Sequence, residues 1–283
     1  MPAAVRQATA MARQFDLEDT MRAWQGFLRF SKENRSFYMA VRNQVQRQVA
    51  SLCSSQLLLV QRAARDLHSC ADLHAAACAE IQRRLPKLAL SEAAACLAHC
   101  TFKREFRPQA SALVRAVVQH WNERQDLHDL KVVEVVDALV CLASWDLRPP
   151  VLGRLDEILV DRQVELKYTG NVLLWVFATR SLSRMQYRDS KWALVALDLA
   201  RDKIFLEQVP FHNLCQLLEK FAELNLFDEM AYQSFAELFL AERQLFKELR
   251  DIAQVLWAFA HVGFFHPELF DALYNLILDR FEA

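Results

Sequence analysis

The stretch DIAQVLWAFAHVGFFHPELFDALYNLIL, residues 251–278, contains the clearest structural signal in this chain of 283 residues. Its first part has apolar or small residues at offsets 0, 4, 7, 8, 10 and 12, namely Ile252, Leu256, Phe259, Ala260, Val262 and Phe264. The first four offsets lie on one face of an α-helix. Gly263 and Pro267 follow, and glycine commonly ends a helix whereas proline commonly begins one. The stretch therefore predicts two helices joined by a short turn.

The same pattern recurs along the chain. A shift of 38 residues toward the N-terminus places Leu214, Leu218, Phe221, Ala222, Leu224 and Leu226 in the same slots. Looser copies begin at Leu90, Val135 and Gly170, and two degenerate copies begin near Leu17 and Gln56, with a mean spacing of about 39 residues. One hairpin cannot bury both of its faces, whereas stacked hairpins share a continuous core. We therefore predict an all-α fold, an α-solenoid of about six or seven helical hairpin repeats.

The composition supports this fold class and argues against catalysis. The chain contains only 4 glycines, which argues against glycine-dependent nucleotide-binding folds and against sheets with many tight hairpins. A hydrophobic content of 53% is ample for a core. The motifs G-x-S-x-G, G-x-x-x-x-G-K-[ST], H-E-x-x-H and G-x-G-x-x-G do not occur in the sequence. We expect a protein that is not an enzyme and has no cofactor.

The chain is predicted to divide into residues 1–16 and a repeat domain over residues 17–283. The first fifteen residues contain Arg6 and Arg13 but no acidic residue, which fits either an organellar presequence or a basic helix that frays. The apolar run from Val132 to Ala143 is too short and too charged for a membrane span. In the long copy from Gly170 to Val209, we expect the additional residues, about 180–190, in a loop or helix extension.

Residues 251–278, and more faintly NVLLWVFA at residues 171–178, resemble the degenerate repeats of octotricopeptide and heptatricopeptide proteins. Those organellar proteins often carry a RAP domain, and the resemblance here covers the helical repeats without one. The resemblance is most specific in the segment from Leu256 to Ala260 and in the following segment from Pro267 to Phe270. The resemblance implies binding of organellar transcripts or ribosomal RNA. It also implies a mitochondrial matrix location, ahead of a plastid.

The formal net charge of −1 hides a gradient along the chain. Residues 1–125 have a net charge of +8, residues 126–208 of −2 and residues 209–283 of −7. Phosphate contacts dominate nonspecific binding of nucleic acids, so a local basic surface matters more than the total charge. The candidate RNA-binding residues are Arg35, Arg42, Arg47, Lys103, Arg104, Arg107, Arg180, Arg184, Arg188 and Lys191. Ordinary solvated helix faces are the alternative interpretation of these charges.

Aromatic residues near these basic clusters could stack on unpaired bases. Phe102 and Phe106 accompany the cluster of Lys103, Arg104 and Arg107, and Tyr187 and Trp192 accompany the later one, in which Asp189 is the local opposing charge. Four further aromatic residues have repeat-core spacing, which favours packing over base stacking: Trp175, Phe177, Trp257 and Phe259.

The cysteines and histidines allow a second chemical interpretation. Cys70, His74 and Cys78 share a helical face, and Cys96, His99 and Cys100 lie within one turn of the next predicted hairpin. Such residues can hold zinc or an iron–sulfur cluster. C-x-x-C pairs are missing, however, and cysteine often packs as a small apolar residue, so we favour core thiols and assign no metal.

Two functions fit these observations. The first is a non-catalytic mitochondrial RNA-binding repeat protein, an rRNA-binding component of a ribosome or another ribonucleoprotein. The alternative is a protein-binding scaffold subunit of a multisubunit organellar complex, which uses the acidic C-terminal hairpins to contact neighbouring proteins. Repeat arrays of this kind serve both purposes, so the fold does not choose between them.

Overall fold

The computed structural model describes residues 10–30, 35–66, 70–100, 107–168 and 171–282. Over these ranges the chain is helical and has no strand, so the prediction of an all-α fold is confirmed. The chain divides into two compact units, Met1–Leu130 and Lys131–Ala283. Within the described ranges, no helix is both long enough and apolar enough to cross a lipid bilayer. The first nine residues of the predicted presequence lie outside the described residues.

Sixteen α-helices occur in the described residues, and fourteen of them form seven consecutive pairs. The paired helices are α1 Leu17–Phe30 with α2 Arg35–Gln48, α3 Ser54–Asp66 with α4 Ala71–Arg84, α5 Leu90–His99 with α6 Arg107–Glu123, α7 Val132–Ser144 with α8 Val151–Asp161, α10 Val172–Arg184 with α11 Lys191–Leu199, α13 Phe211–Glu223 with α14 Glu229–Ala241, and α15 Leu249–Val262 with α16 Pro267–Glu282. Two short helices stand outside the pairs, α9 Gln163–Tyr168 and α12 Lys203–Leu206. Proline lies at the start of α6, α8 and α16, as its conformational preference predicts.

In the first unit, α4 occupies a central position. It packs against α2, α3 and α6, while α3 also packs against α5. The tryptophans Trp24 and Trp121 are fully buried within this unit. Successive hairpins of the first unit are therefore held together through shared apolar faces.

In the second unit, the helices form two layers. The first helix of each hairpin packs on the first helix of the next, in the order α7, α10, α13 and α15. The second helices follow the parallel order α8, α11, α14 and α16. This arrangement within the second unit agrees with the hairpin stacking that the repeats predict, while the α-solenoid remains an interpretation of the repeat pattern.

The first helix of every hairpin in the second unit ends in the same left-handed turn. The residues with positive φ are Asp146 (53°), Gln186 (54°), Asn225 (57°) and Gly263 (74°). In each turn, the N–H of the following residue bonds the carbonyl five positions earlier, as in Leu226 to Phe221 at 2.9 Å and Phe264 to Phe259 at 3.0 Å. These are Schellman turns, in which an apolar contact accompanies the hydrogen bonds. That contact explains why offsets 7 and 12 of the sequence pattern are both apolar.

The turns also correct the register of the copy predicted to begin at Gly170. Asp146, Gln186, Asn225 and Gly263 follow one another at intervals of 40, 39 and 38 residues. Trp175, and not Gly170, therefore occupies the same slot as Val135, with Thr179 and Leu182 in the next two slots. The prediction was wrong here because the slots hold Thr179 and Ser183 where other copies have apolar residues or alanine.

The corrected register also removes the long copy. Residues 180–184 belong to α10, and the turn over residues 185–190 has the same length as the turn over residues 145–150. The copies that begin at Val135, Trp175 and Leu214 are 40 and 39 residues apart, so this copy contains no additional residues and the prediction of a loop or helix extension over residues 180–190 is wrong. The short helix α12, in which Phe205 and Leu206 are buried, connects two hairpins as α9 does between α8 and α10.

The left-handed conformation at Gly263 gives a stability test. We expect Gly263→Ala to lower the free energy of unfolding by about 1 kcal/mol, because a side chain at positive φ strains the backbone. An added Cβ would contact nothing within 4 Å, so packing does not contribute. Urea unfolding followed by circular dichroism measures the change.

Gly153→Ala is the matched control. Gly153 lies in α8 with ordinary backbone geometry, and the new Cβ would lie 3.4 Å from Tyr187 Oη, an ordinary contact. We expect this variant to be neutral or more stable by up to about 1 kcal/mol. Equal effects of the two substitutions would contradict the assignment of strain to the turn.

Candidate nucleic-acid interface

The predicted basic residues of α2 differ in how accessible they are. Arg42 is buried, with its Nη2 atom 3.4 Å from Asp72 Oδ2 on α4. Its Nε atom is also buried and donates no hydrogen bond within the described residues. Arg42 therefore joins α2 to α4, and its prediction as an RNA-contacting residue is corrected. Arg47 is exposed, as predicted, and the side chain of Arg35 lies outside the description.

The cluster predicted between α5 and α6 falls mostly outside the described residues. Lys103 and Arg104, together with Phe102 and Phe106, belong to residues 101–106, which the structure does not describe. Arg107 begins α6, but its side chain also lies outside the description. These residues stay a prediction.

Three exposed cations of the first unit escaped the sequence analysis. Arg62 on α3, Lys87 in a short 3-10 helix and Arg115 on α6 are exposed, and so is Arg47. None of the four belongs to an ion pair among the described residues. Residues 1–130 contain 18 basic and 12 acidic residues, a net charge of +6. For Arg62 and Arg115, the sequence signal was a single charge on the helix face opposite the apolar stripe.

The second predicted cluster, on α10 and the following turn, is less uniformly basic than its sequence indicates. Arg184 and Arg188 are exposed and have no ion-pair partner among the described side chains. Arg180 is half-buried, and its pKa is lowered by desolvation, against the attraction of Glu219. Lys191 Nζ lies 3.0 Å from Glu157 Oε1, and this contact raises the lysine pKa. Asp189 is therefore not the only opposing charge, because packing brings Glu157 and Glu219 to this cluster.

A buried carboxylate holds the turn that carries Arg188. Asp156 on α8 accepts a hydrogen bond from the Ser190 hydroxyl at 2.5 Å and from the N–H of Lys191 at 2.8 Å. Desolvation raises the pKa of Asp156, and the hydrogen bonds from these groups and from the N–H of Trp192 oppose that rise. The contacts tie the start of α11 to α8, so the position of the turn is set by the preceding hairpin.

The two aromatic residues predicted to accompany the second cluster are fully or partly buried. Trp192 is fully buried and Tyr187 is half-buried, which corrects their proposed role beside exposed arginines. Trp175 and Phe259 are fully buried, so their assignment to packing is confirmed.

Phe177 and Trp257 depart from the packing prediction. They are 37% and 43% exposed, because each lies two positions after a buried residue of its helix and points to the other side. The Trp257 ring stacks on His261, with the ring centroids 4.8 Å apart.

A row of four residues, which we call the turn row, occupies equivalent positions in the second unit. Its members follow the left-handed residues by two positions: Arg148, Arg188, Phe227 and Phe265. All four are exposed, with Phe227 at 50% and Phe265 at 66%. Arg148 and Arg188 belong to no ion pair among the described residues.

Contacts between neighbouring hairpins align these turns along one edge of the second unit. The Ser183 hydroxyl donates to Glu223 Oε2 at 2.7 Å, which joins the ends of α10 and α13. Asn225 Oδ1 lies 3.0 Å from His261 Nε2, which joins the next pair of ends. The second helices begin at the same edge, so their N-termini add positive electrostatic potential there.

The sequence contained a signal for the turn row that we did not use. All four residues occupy offset 13 of the repeat pattern, one position beyond the last apolar slot. When the copy is counted from Gly170, Arg188 falls at a different offset, so its equivalence to Arg148, Phe227 and Phe265 is not visible.

The predicted cysteine and histidine residues lie in the core of the first unit. Cys70, His74, Cys78, Cys96 and Cys100 are buried, which confirms the interpretation of core thiols, and His99 is half-buried. No group of three His, Cys, Asp or Glu side chains within the described ranges is arranged to hold a metal ion.

Comparison with known proteins adds no family assignment, because no protein-family model and no curated protein matches the chain. The likeness to organellar repeat proteins therefore depends on the quoted residues alone.

The difference between Arg42 and Arg47 predicts different effects on stability. Arg42→Ala should lower the free energy of unfolding by about 1–2 kcal/mol, because it removes a buried side chain that packs between two helices. Arg47→Ala, on the exposed face of the same helix, should change it by less than about 0.5 kcal/mol. Thermal unfolding of both variants measures the difference. A similar loss in both would show that burial does not distinguish these residues.

Proposed function

We propose that this protein is a non-catalytic RNA-binding repeat protein of the mitochondrion, which contacts single-stranded regions of RNA along the turn row. The observation that carries the proposal is the repetition of exposed arginine and phenylalanine residues at one position of four stacked hairpins. An rRNA-binding component of a ribosome or another ribonucleoprotein is the role that fits the repeat resemblance.

The chemistry of the turn row matches an RNA strand. Arg148 and Arg188 can hold phosphates through charge-assisted hydrogen bonds, and Phe227 and Phe265 offer aromatic faces to unpaired bases. Packed helices lie about 8–10 Å apart, so neighbouring turns are close enough for one strand to contact several of them. Stacking on phenylalanine tolerates any base, so we expect little sequence preference from these contacts.

The remaining charges restrict where the RNA can bind. Residues 131–283 contain 16 basic and 23 acidic residues, a net charge of −7, so most of this unit repels a phosphate backbone. The turn row begins with two arginines that form no ion pair within the described residues. The first unit, with its net charge of +6, provides a separate field that attracts RNA over longer distances.

Charge reversal tests the phosphate contacts. We expect the double variant Arg148→Glu and Arg188→Glu to weaken binding of single-stranded RNA by about tenfold or more at low salt. The slope of log K against log salt should fall by about 1.4, because each lost phosphate contact on a single strand contributes about 0.7. Fluorescence anisotropy over a salt series measures both quantities.

The control for this variant is the double substitution Arg243→Glu and Arg250→Glu. Both residues are exposed in the same unit, lie outside the turn row and change the net charge equally. Equal losses from the two double variants would leave only a general charge effect and would remove the turn row from the site.

Substitution of the aromatic residues tests base stacking. We expect Phe227→Ala and Phe265→Ala each to weaken binding of single-stranded RNA by about fivefold or more, because a stacked base contributes about 1–3 kcal/mol. The loss should disappear with an abasic strand of equal length. Ile204→Ala, at a 73% exposed apolar residue outside the row, is the control and should bind like the unmodified protein. Unchanged affinity in both phenylalanine variants would contradict stacking at the turn row.

The second candidate function is a protein-binding scaffold, and a specific feature of the second unit favours it. Ile204, Met230 and Tyr274 are 73%, 66% and 61% exposed on a unit that is acidic overall. Large exposed apolar side chains often contact partner proteins. Purification of the tagged protein from mitochondria with and without ribonuclease separates the two functions. Partners that dissociate on ribonuclease treatment support RNA binding, whereas partners that all remain support the scaffold.

A further inference from the structure

Five buried polar side chains of the first unit form a cluster that RNA binding does not use. We call it the thiol cluster, and its members are Gln61, His74, Cys78, Cys96 and Cys100. Gln61 Nε2 donates to Cys100 Sγ at 3.2 Å, to the Cys96 carbonyl at 3.3 Å and to Cys78 Sγ at 3.8 Å. Cys78 Sγ also lies 3.6 Å from His74 Nδ1. The cluster therefore places two thiols around one amide donor.

Packing of three helices brings these residues together. Gln61 lies on α3, His74 and Cys78 lie one turn apart on α4, and Cys100 directly follows α5. The contacts of α3 with both α4 and α5 close the cluster from two sides. Cys78 and Cys100 are 22 positions apart in sequence, yet the same Gln61 amide lies within 4 Å of both sulfurs.

Cys78 and Cys96, two thiols of the cluster, are chemically unequal. The hydrogen bond from Cys100 is the largest influence on Cys78 and, with His74 and Gln61, lowers the pKa of Cys78 to about 6 against the effect of burial. Burial raises the pKa of the nearby Cys96 thiol, so that residue stays protonated. Cys78 is thus the nucleophilic sulfur of the cluster, with Cys100 as its hydrogen-bonded neighbour.

We propose that Cys78 and Cys100 form a reversible dithiol site that hydrogen peroxide oxidises to a disulfide. Gln61 Nε2 lies 3.2 Å from Cys100 Sγ and 3.8 Å from Cys78 Sγ, so both sulfurs adjoin one side-chain amide, and rotation of the two cysteine side chains must bring the sulfurs to about 2.05 Å of each other. The site is an oxidation site of the first unit and is independent of the turn row.

The reaction has two balanced steps. The Cys78 thiolate attacks one oxygen of the peroxide, the O–O bond breaks, and the products are Cys78 sulfenic acid and hydroxide, which takes up the proton that Cys78 released. The Cys100 sulfur then attacks the Cys78 sulfur, the S–O bond breaks, and the leaving hydroxide takes the Cys100 proton as water. Two thiols lose two electrons in total, and the peroxide is reduced to two molecules of water.

The burial of the cluster determines the class of oxidant. Cys78 is 2% exposed and Cys100 is 5% exposed, so a bulky disulfide such as oxidised glutathione has no route to either sulfur in the folded protein. A small neutral peroxide needs only a transient local opening. The resulting bond would join α4 to the residue just before the segment that contains Lys103 and Arg104.

The test uses the native full-length protein. The protein is treated with hydrogen peroxide, quenched with catalase, alkylated with N-ethylmaleimide and digested with trypsin without reductant. We expect a linked pair of peptides, residues 66–83 and 88–103, which fragmentation assigns to Cys78 and Cys100. Dithiothreitol should abolish the linked species, since a disulfide is reducible. Recovery of Cys78 as the alkylated thiol, after peroxide has oxidised the exposed Cys53, would overturn the proposal.

Cysteine variants test independently which two residues form the disulfide. Cys78→Ala and Cys100→Ala should each eliminate the linked peptides, whereas Cys96→Ala should leave their yield within about twofold, because Cys96 is not the nucleophile. Circular dichroism before oxidation checks that each variant is folded. A bond between Cys78 and Cys96, or an irreversible sulfinic acid at Cys78 in the unmodified protein, would contradict the site. Retained RNA affinity after oxidation would leave the proposed function intact, so the two proposals fail separately.

Discussion

The left-handed turn at the end of each first helix is the constraint on which the second unit depends. Four hairpins reverse direction through a residue with positive φ, and two backbone hydrogen bonds in each turn satisfy carbonyl groups that would otherwise be unpaired at the helix end. The turn fixes the length of the first helix, so equivalent residues of successive hairpins stay in register. The layers of first and second helices, and the alignment of the turns along one edge, follow from that register.

The repeat does not require glycine to form this turn. Gly263 occupies the left-handed position in the last hairpin, whereas aspartate, glutamine and asparagine occupy it in the other three. Aspartate and asparagine tolerate this conformation better than most residues, and Gln186 is held by a bond from its side chain to the Ser183 carbonyl at 3.3 Å. The low glycine content is therefore compatible with a repeated tight turn, because the surrounding packing supports the backbone strain.

Packing also determines which basic side chains are accessible and which ones meet a carboxylate. Arg42 and Lys191 belong to basic clusters in the sequence, but each meets a carboxylate from a residue 30 or 34 positions away. Arg148, Arg188, Arg62 and Arg115 receive no such partner among the described residues. A charge count along the chain thus locates the basic half of the protein but does not identify the accessible cations. The pKa of Cys78 depends on packing in the same way, because Gln61 on α3 and Cys100, which follows α5, help to lower it.

The sequence by itself determined the helical class, the hairpin repeat and its period, because apolar spacing at 3.6 residues per turn and the positions of proline and glycine are local properties. It also identified Trp175 and Phe259 as core residues. The tertiary structure alone decided the register of the hairpin that contains Trp175, since Thr179 and Ser183 break the apolar pattern but are buried between neighbouring helices. It likewise decided which arginines are accessible, which aromatic residues face outward and which thiols meet. These properties depend on pairs of residues about 20 to 40 positions apart, and the identity of a partner at that distance is set by how the hairpins stack.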